Sequence, residues 1–160
     1  MFTLNDVLDL AAQIEKNGER VYRTALHKII DDPELSEMLA WMADEEARHA
    51  EHFDRMREER GEAPGEPLLE ELGRSMLADV VANRSFSLEE VDFSRIDAVS
   101  DLIRIMIEFE KDTVAFYGVF RDFMVEAKEI DELDRIIADE EEHIRKLENC
   151  RSKNLACLKA

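Results

Sequence analysis

Four glutamates and two histidines of this 160-residue chain stand where apolar side chains are expected. Apolar residues at alternating spacings of four and three trace one stripe on each of four amphipathic segments. The first stripe reads Leu4, Leu8, Ala11, Glu15, Gly18, Tyr22, Ala25 and Ile29, and the second Leu35, Leu39, Met42, Glu46, His49, Phe53 and Met56. The third reads Val99, Ile103, Met106, Glu110, Thr113, Tyr117, Phe120 and Met124, and the fourth Leu133, Ile136, Glu140, His143, Leu147 and Cys150. Each carries one glutamate near its middle, and the second and fourth add a histidine three residues later. Other glutamates, including Glu45, Glu58, Glu59 and Glu141, fall outside the stripes and are expected in solvent.

Four carboxylates buried together repel one another, and each loses several kcal/mol of hydration. Such a group must either hold protons or hold cations. Two divalent metals would balance four carboxylates, and two neutral imidazoles would give each metal one nitrogen. On a helix, residues i and i+3 are surface neighbours, so Glu46 with His49, and Glu140 with His143, can each reach one site. Glu15 and Glu110, on the facing helices, would bridge or cap the pair. Mixed carboxylate and imidazole ligation suits iron or manganese better than thiolate-seeking metals. The expected cofactor is therefore a pair of such ions: two iron ions, two manganese ions or a mixed pair.

The elements needed to position these residues are long helices. The sequence predicts helix from Leu4 to Ile30, begun by a capping box of Thr3 and Asp6. Asp31-Asp32-Pro33 is a short turn with Asp32 as N-cap and Pro33 in the first helical position, and a second helix follows to Arg60. Further helices are predicted over Ile96–Val125 and Glu129–Arg151. Three of the five glycines and two of the three prolines lie between Gly61 and Gly73, which interrupts any helix there. The stretch 61–94 reads as one long crossover between two helical hairpins, with a short helix over 68–82. The whole chain, 1–160, is expected to be one all-α domain, an antiparallel four-helix bundle with a single crossover.

The halves also repeat. Ile14-Glu15-Lys16-Asn17 with Val21-Tyr22 returns as Phe109-Glu110-Lys111-Asp112 with Phe116-Tyr117. Ala43-Asp44-Glu45-Glu46 with His49 returns, less closely, as Ala138-Asp139-Glu140 with His143. A duplicated hairpin accounts for this better than a solenoid.

Composition narrows the functions further. The net charge of −18 argues against nucleic acid and against an anionic membrane surface, and favours attraction of cations. No apolar run approaches a membrane span, and Met1 to Asp6 lacks the start of a signal peptide, so a cytoplasmic location is expected. The two cysteines, Cys150 and Cys157, form no CxxC pair and read as reduced thiols. His27 and His52 are expected near the surface, and Trp41 and the methionines in the core.

Two Glu-x-x-His motifs, each paired with an upstream stripe glutamate, resemble the rubrerythrin branch of the ferritin-like proteins. The resemblance covers the helical core. It implies a di-iron centre held by Glu15, Glu46, His49, Glu110, Glu140 and His143 that reacts with hydrogen peroxide or dioxygen. It also implies supporting roles for Tyr22 and Tyr117, each two turns beyond a ligand glutamate on the same face, where a phenol could hydrogen-bond a ligand carboxylate. A homodimer is implied as well. No rubredoxin-type cysteine set is present, so electrons are expected from an external donor such as a rubredoxin-type protein. Members of the branch often carry a further glutamate three residues after the third-helix ligand, and here that position is Thr113. A ferroxidase feeding iron storage and a manganese catalase remain alternative readings of the same ligands.

Overall fold

The computed structural model describes residues 4–27, 32–61, 99–122 and 124–157, with side chains up to residue 152. These residues form four helices: α1 (Leu4–Leu26), α2 (Pro33–Arg60), α3 (Val99–Arg121) and α4 (Ala127–Cys157). No strand occurs among them.

Asp32 caps α2 as the sequence implies. Its carboxylate accepts a hydrogen bond from the Leu35 amide at 3.0 Å, and Pro33 opens the helix, where its missing N–H is no loss. The helix ends at Gly61, whose positive φ of 62° an L side chain rarely adopts.

The other ends differ from expectation by a few residues. α1 stops at Leu26, where the His27 amide bonds the Thr24 carbonyl at 3.2 Å and tightens the last turn. α3 stops at Arg121 instead of Val125. There the Asp122 amide reaches Val119 O and the Met124 amide reaches Arg121 O, a tight reversal that turns Met124 into the core and leaves Val125 83% exposed. α4 starts two residues early, at Ala127, and continues to Cys157 because no glycine or proline interrupts it. The capping residue Thr3, the segment 28–31 and the crossover with its helix over 68–82 lie outside the described residues.

Pairwise contacts fix the topology. α1 packs along α2 and α3 along α4, and the two hairpins meet with α1 on α3 and α2 on α4. Asn5 Nδ2 donates to Gly61 O at 2.8 Å, joining the start of α1 to the end of α2. Arg60 donates to both oxygens of Glu129 at 2.7 and 2.8 Å, joining the end of α2 to the start of α4. Arg121 pairs with Asp134 across the α3–α4 turn. The directions are therefore up, down, down, up, and the parallel run of α2 and α3 requires the end-to-end connection of a single-crossover bundle.

The core between the hairpins holds almost every stripe residue. Leu8, Ala11, Leu39, Met42, Phe53, Ile103, Met106, Leu133 and Leu147 are all 1% exposed or less. Two stripe ends are looser: Val99 is 39% exposed and Cys150 is half-buried against the core. Trp41, expected inside, stands at the rim at 37% exposure. Replacing Asp32 by Ala removes one satisfied amide at the α2 start and should lower the unfolding free energy by about 1 kcal/mol. Urea unfolding checks this, and an unchanged midpoint would show that the cap contributes nothing.

Candidate metal centre

All six predicted residues converge at mid-height of the bundle. Glu15, Glu110, Glu140 and His143 are 0% exposed, Glu46 1% and His49 5%. They form two overlapping groups: Glu15, Glu46, His49 and Glu140, and Glu46, Glu110, Glu140 and His143. Within each group one oxygen or nitrogen from every residue lies within 4.8 Å of the others. Glu46 and Glu140 belong to both groups, whereas Glu15 and Glu110 each belong to one. The shared carboxylates thus come from the Glu-x-x-His helices, and the glutamates of α1 and α3 sit at opposite ends.

The imidazoles turn Nδ1 towards this cluster. His49 Nδ1 lies 2.7 Å from Glu140 and 3.4 Å from Glu15. His143 Nδ1 lies 3.0 Å from Glu140, 3.2 Å from Glu46 and 3.5 Å from Glu110. Two of the eight carboxylate oxygens accept hydrogen bonds from tyrosines. Tyr22 donates to Glu110 Oε1, and Tyr117 donates to Glu15 Oε1. Each phenol therefore crosses to the glutamate of the facing helix, because α1 and α3 run antiparallel and bring position i of one level with i+7 of the other. Sequence spacing put each tyrosine on the correct face but could not show this exchange.

The other six oxygens, together with all four imidazole nitrogens, have no aligned hydrogen-bond partner among the described residues. Buried polar atoms are rarely left so. Here they crowd into one enclosed space, with imidazole nitrogens 2.7 to 3.5 Å from carboxylate oxygens, an arrangement that a pair of cations would satisfy. The donor set of carboxylate oxygen and imidazole nitrogen fits such ions.

Backbone packing makes room for the shared carboxylates. A Cβ on Gly18 would overlap Glu46 Oε2 and press on Phe109 at 3.0 Å, so glycine at this helical position leaves the space that Glu46 fills. The equivalent position in the second repeat is Thr113. Its hydroxyl donates to the Phe109 carbonyl at 3.0 Å, so it turns back on its own helix and offers the cluster no ligand. Aromatic rings close the site below: Phe53 and Phe116 lie 5.2 and 5.6 Å from the Tyr117 ring.

Two surrounding residues depart from the sequence reading. Glu45, expected in solvent, is only 9% exposed and is paired with Arg48. Trp41 stands edge-on to the His143 ring at 5.2 Å, with the Lys146 ammonium 4.9 Å from its centroid. Both missed residues lie beside the stripe of α2 that carries Glu46 and His49, at positions that α4 partly covers. Periodicity alone does not resolve such flanks. His27 is exposed and His52 is partly buried near Glu132 at 3.6 Å, both apart from the cluster as expected.

A family model described as Rubrerythrin matches residues 6–150. The chain belongs to the rubrerythrin family. It is also similar to the crystal structure of a protein from Thermotoga maritima described as a ferritin-like diiron-carboxylate protein. That similarity has a TM-score of 0.69 and 25% sequence identity, and it covers 96% of this chain and 97% of the other. A comparison with curated protein sequences gives no match. The family match and the shared fold bear out the all-α, ferritin-like expectation. None of the described helices is long and apolar enough to cross a membrane.

Without cations the rubrerythrin-type cluster is a store of protons. Burial, and then the charge of Glu140, pushes up the carboxyls of Glu15, Glu46 and Glu110, strongly for the last two. Burial would raise Glu140 too, but contact with His143 and His49 outweighs it and holds that carboxyl below the usual range. Burial alone would lower the imidazoles. Glu140 and Glu15 overcome it and push His49 up to about 11, and Glu110, Glu140 and Glu46 likewise push His143 up.

A group whose pKa rises on folding stabilises fully below its unfolded value, and this stability is lost as pH climbs through the folded value. The window opens above 4.5 for the three glutamates and runs from 6.5 to about 11 for His49. Glu140 acts in the opposite sense, but only below 4.5. The melting temperature of the chelator-treated protein should therefore fall between about pH 5.5 and about pH 8.5. Scanning calorimetry tests this, and a flat or rising profile would contradict the buried-proton description.

Proposed function

We propose that this rubrerythrin-family chain is a di-iron oxidoreductase that reacts with hydrogen peroxide or dioxygen and draws electrons from a separate donor. The observation that carries the reading is the pair of overlapping ligand groups sharing Glu46 and Glu140. In this assignment Glu46 and Glu140 would supply the carboxylates common to both metals. Glu15 and His49 complete one site, and Glu110 and His143 complete the other. Four carboxylates then balance two divalent cations, which removes the repulsion that makes the empty cluster bind protons. The oxygen and nitrogen donor set suits iron or manganese, and the similarity to a protein described as diiron-carboxylate favours iron.

Two bound iron ions would supply Lewis acidity and two electrons to the O–O bond of the oxidant. The protein's own part is positioning. Tyr22 and Tyr117 each hold one oxygen of a terminal glutamate, leaving the other oxygen of Glu110 and of Glu15 free to coordinate. Tyr117 is itself buried beside Glu15, and that burial and charge push its hydroxyl well above its ordinary range, so it remains a neutral donor. The apolar shell around the centre limits access of bulk water.

Thr113 supports a second reading. With no carboxylate three residues beyond Glu110, the six ligands form a plain symmetrical centre, which suits a ferroxidase that oxidises incoming ferrous iron for storage. Stopped-flow mixing of the anaerobic di-ferrous protein with hydrogen peroxide, and separately with dioxygen, distinguishes the readings. A peroxidase should be oxidised by peroxide at least about tenfold faster than free ferrous iron and faster than by dioxygen. Preference for dioxygen, with turnover of added ferrous iron, would favour the ferroxidase. Oxygen release from peroxide without reductant would reveal a catalase. No acceleration over free iron with either oxidant would end the oxidoreductase reading.

A further inference from the structure

A third group of potential ligands extends beyond the six and shares His49 with them. Glu45, His49 and Asp139 each place one ligand atom within 4.8 Å of the others. Glu45 and Asp139 immediately precede Glu46 and Glu140 in the chain, so each is the neighbour of a shared carboxylate. Asp139 is exposed, with 56% of its side-chain surface in solvent, while His49 is 5% exposed. The outward nitrogen of that buried ring, Nε2, lies 3.5 Å from Asp139 Oδ2 and has no aligned hydrogen-bond partner among the described residues. His49 thus faces the buried cluster with Nδ1, while Nε2 faces outward to the exposed Asp139, with the buried Glu45 in the same group.

The other end of the centre is built differently. His143 is fully buried and Trp41 stands edge-on to its ring, with the Lys146 ammonium over the indole. Trp41 covers that face, and the ammonium over it is already paired with Glu142 at 3.3 Å. Among the described residues, the further group of carboxylates beside the cluster lies on the His49 side.

We propose that Glu45, Asp139 and His49 Nε2 form an outer site that captures a divalent cation from solution and passes it to the buried centre. The inference rests on the di-metal reading of that centre. A neutral imidazole has one lone pair and one N–H, so His49 cannot hold an outer cation and an inner cation at once. Outer binding through Nε2 displaces any proton there to solvent and leaves the ring's remaining proton on Nδ1. Inward transfer moves the ring proton to Nε2, where Asp139 is placed to accept it in a hydrogen bond. The outer site is consequently a transient station, emptied as the inner one fills. Arg48, paired with Glu45, must give up or share that carboxylate when the cation arrives.

The test is loading of the metal-free protein with cobalt(II), followed by its visible absorption in a stopped-flow instrument. Asp139→Asn and Glu45→Gln leave all six inner ligands in place. Each should slow loading by about tenfold or more, with the final spectrum and two cobalt ions per chain unchanged. Glu141→Gln removes the same charge from an exposed position outside the group and should load at the wild-type rate. Wild-type rates in the Asp139 and Glu45 variants would overturn the proposal. So would equal slowing by Glu141→Gln, which would reduce the effect to bulk charge, or loss of final stoichiometry in the Asp139 variant. Failure of the wild type itself to reach two cobalt ions would instead overturn the di-metal reading on which the outer site depends.

Discussion

Four carboxylates from four helices meet in a space that water does not reach, and the rest of the structure is arranged around that fact. Glu15, Glu46, Glu110 and Glu140 are each 1% exposed or less. Left ionised and uncompensated they would force the hairpins apart. Their charge can be met by protons or by cations, and the surrounding residues prepare for both. Tyr22 and Tyr117 tie the two end glutamates to the opposite hairpin, so the same bonds that orient the site also join the halves of the bundle. Gly18 gives up a side chain where Glu46 needs room. The histidines direct Nδ1 inward and between them lie against all four carboxylates.

Much of this was legible in the sequence because burial leaves a periodic trace. An ionisable residue in solvent reads as noise, but one that interrupts an apolar stripe in all four helices does not. The six residues, the hairpin repeat and the Asp32 cap follow from such one-dimensional signals. What remained hidden depends on a second element. Whether Glu15 or Glu46 is shared between sites is decided by how α2 meets α4, and spacing along α2 carries no record of it. Tyr22 and Tyr117 exchange partners because α1 and α3 are antiparallel. Glu45 sits one residue from Glu46, about 100° around the helix, and is buried only because α4 lies beside it. Trp41 is drawn to the rim by the His143 ring and the Lys146 ammonium, neither visible from its own heptad.

The repeat gives the centre an approximate two-fold arrangement, and the departures from it separate its ends. Gly18 in the first copy corresponds to Thr113 in the second, so the two hairpins do not offer equal space beside their glutamates. Carboxylates extend outward from His49, while an aromatic ring and a cation cover His143. A centre symmetrical in its candidate ligands is thus unsymmetrical in its surroundings, and this difference lies in flanking residues that the duplicated motif does not include.

The most direct test is anaerobic calorimetric titration of the chelator-treated chain with ferrous iron, alongside Glu140→Gln. Because Glu140 belongs to both ligand groups, the wild type should take up two ions per chain with release of protons, and the single substitution should weaken both bindings together. One ion or none in the wild type, or loss of only one ion in the variant, would contradict a shared carboxylate centre.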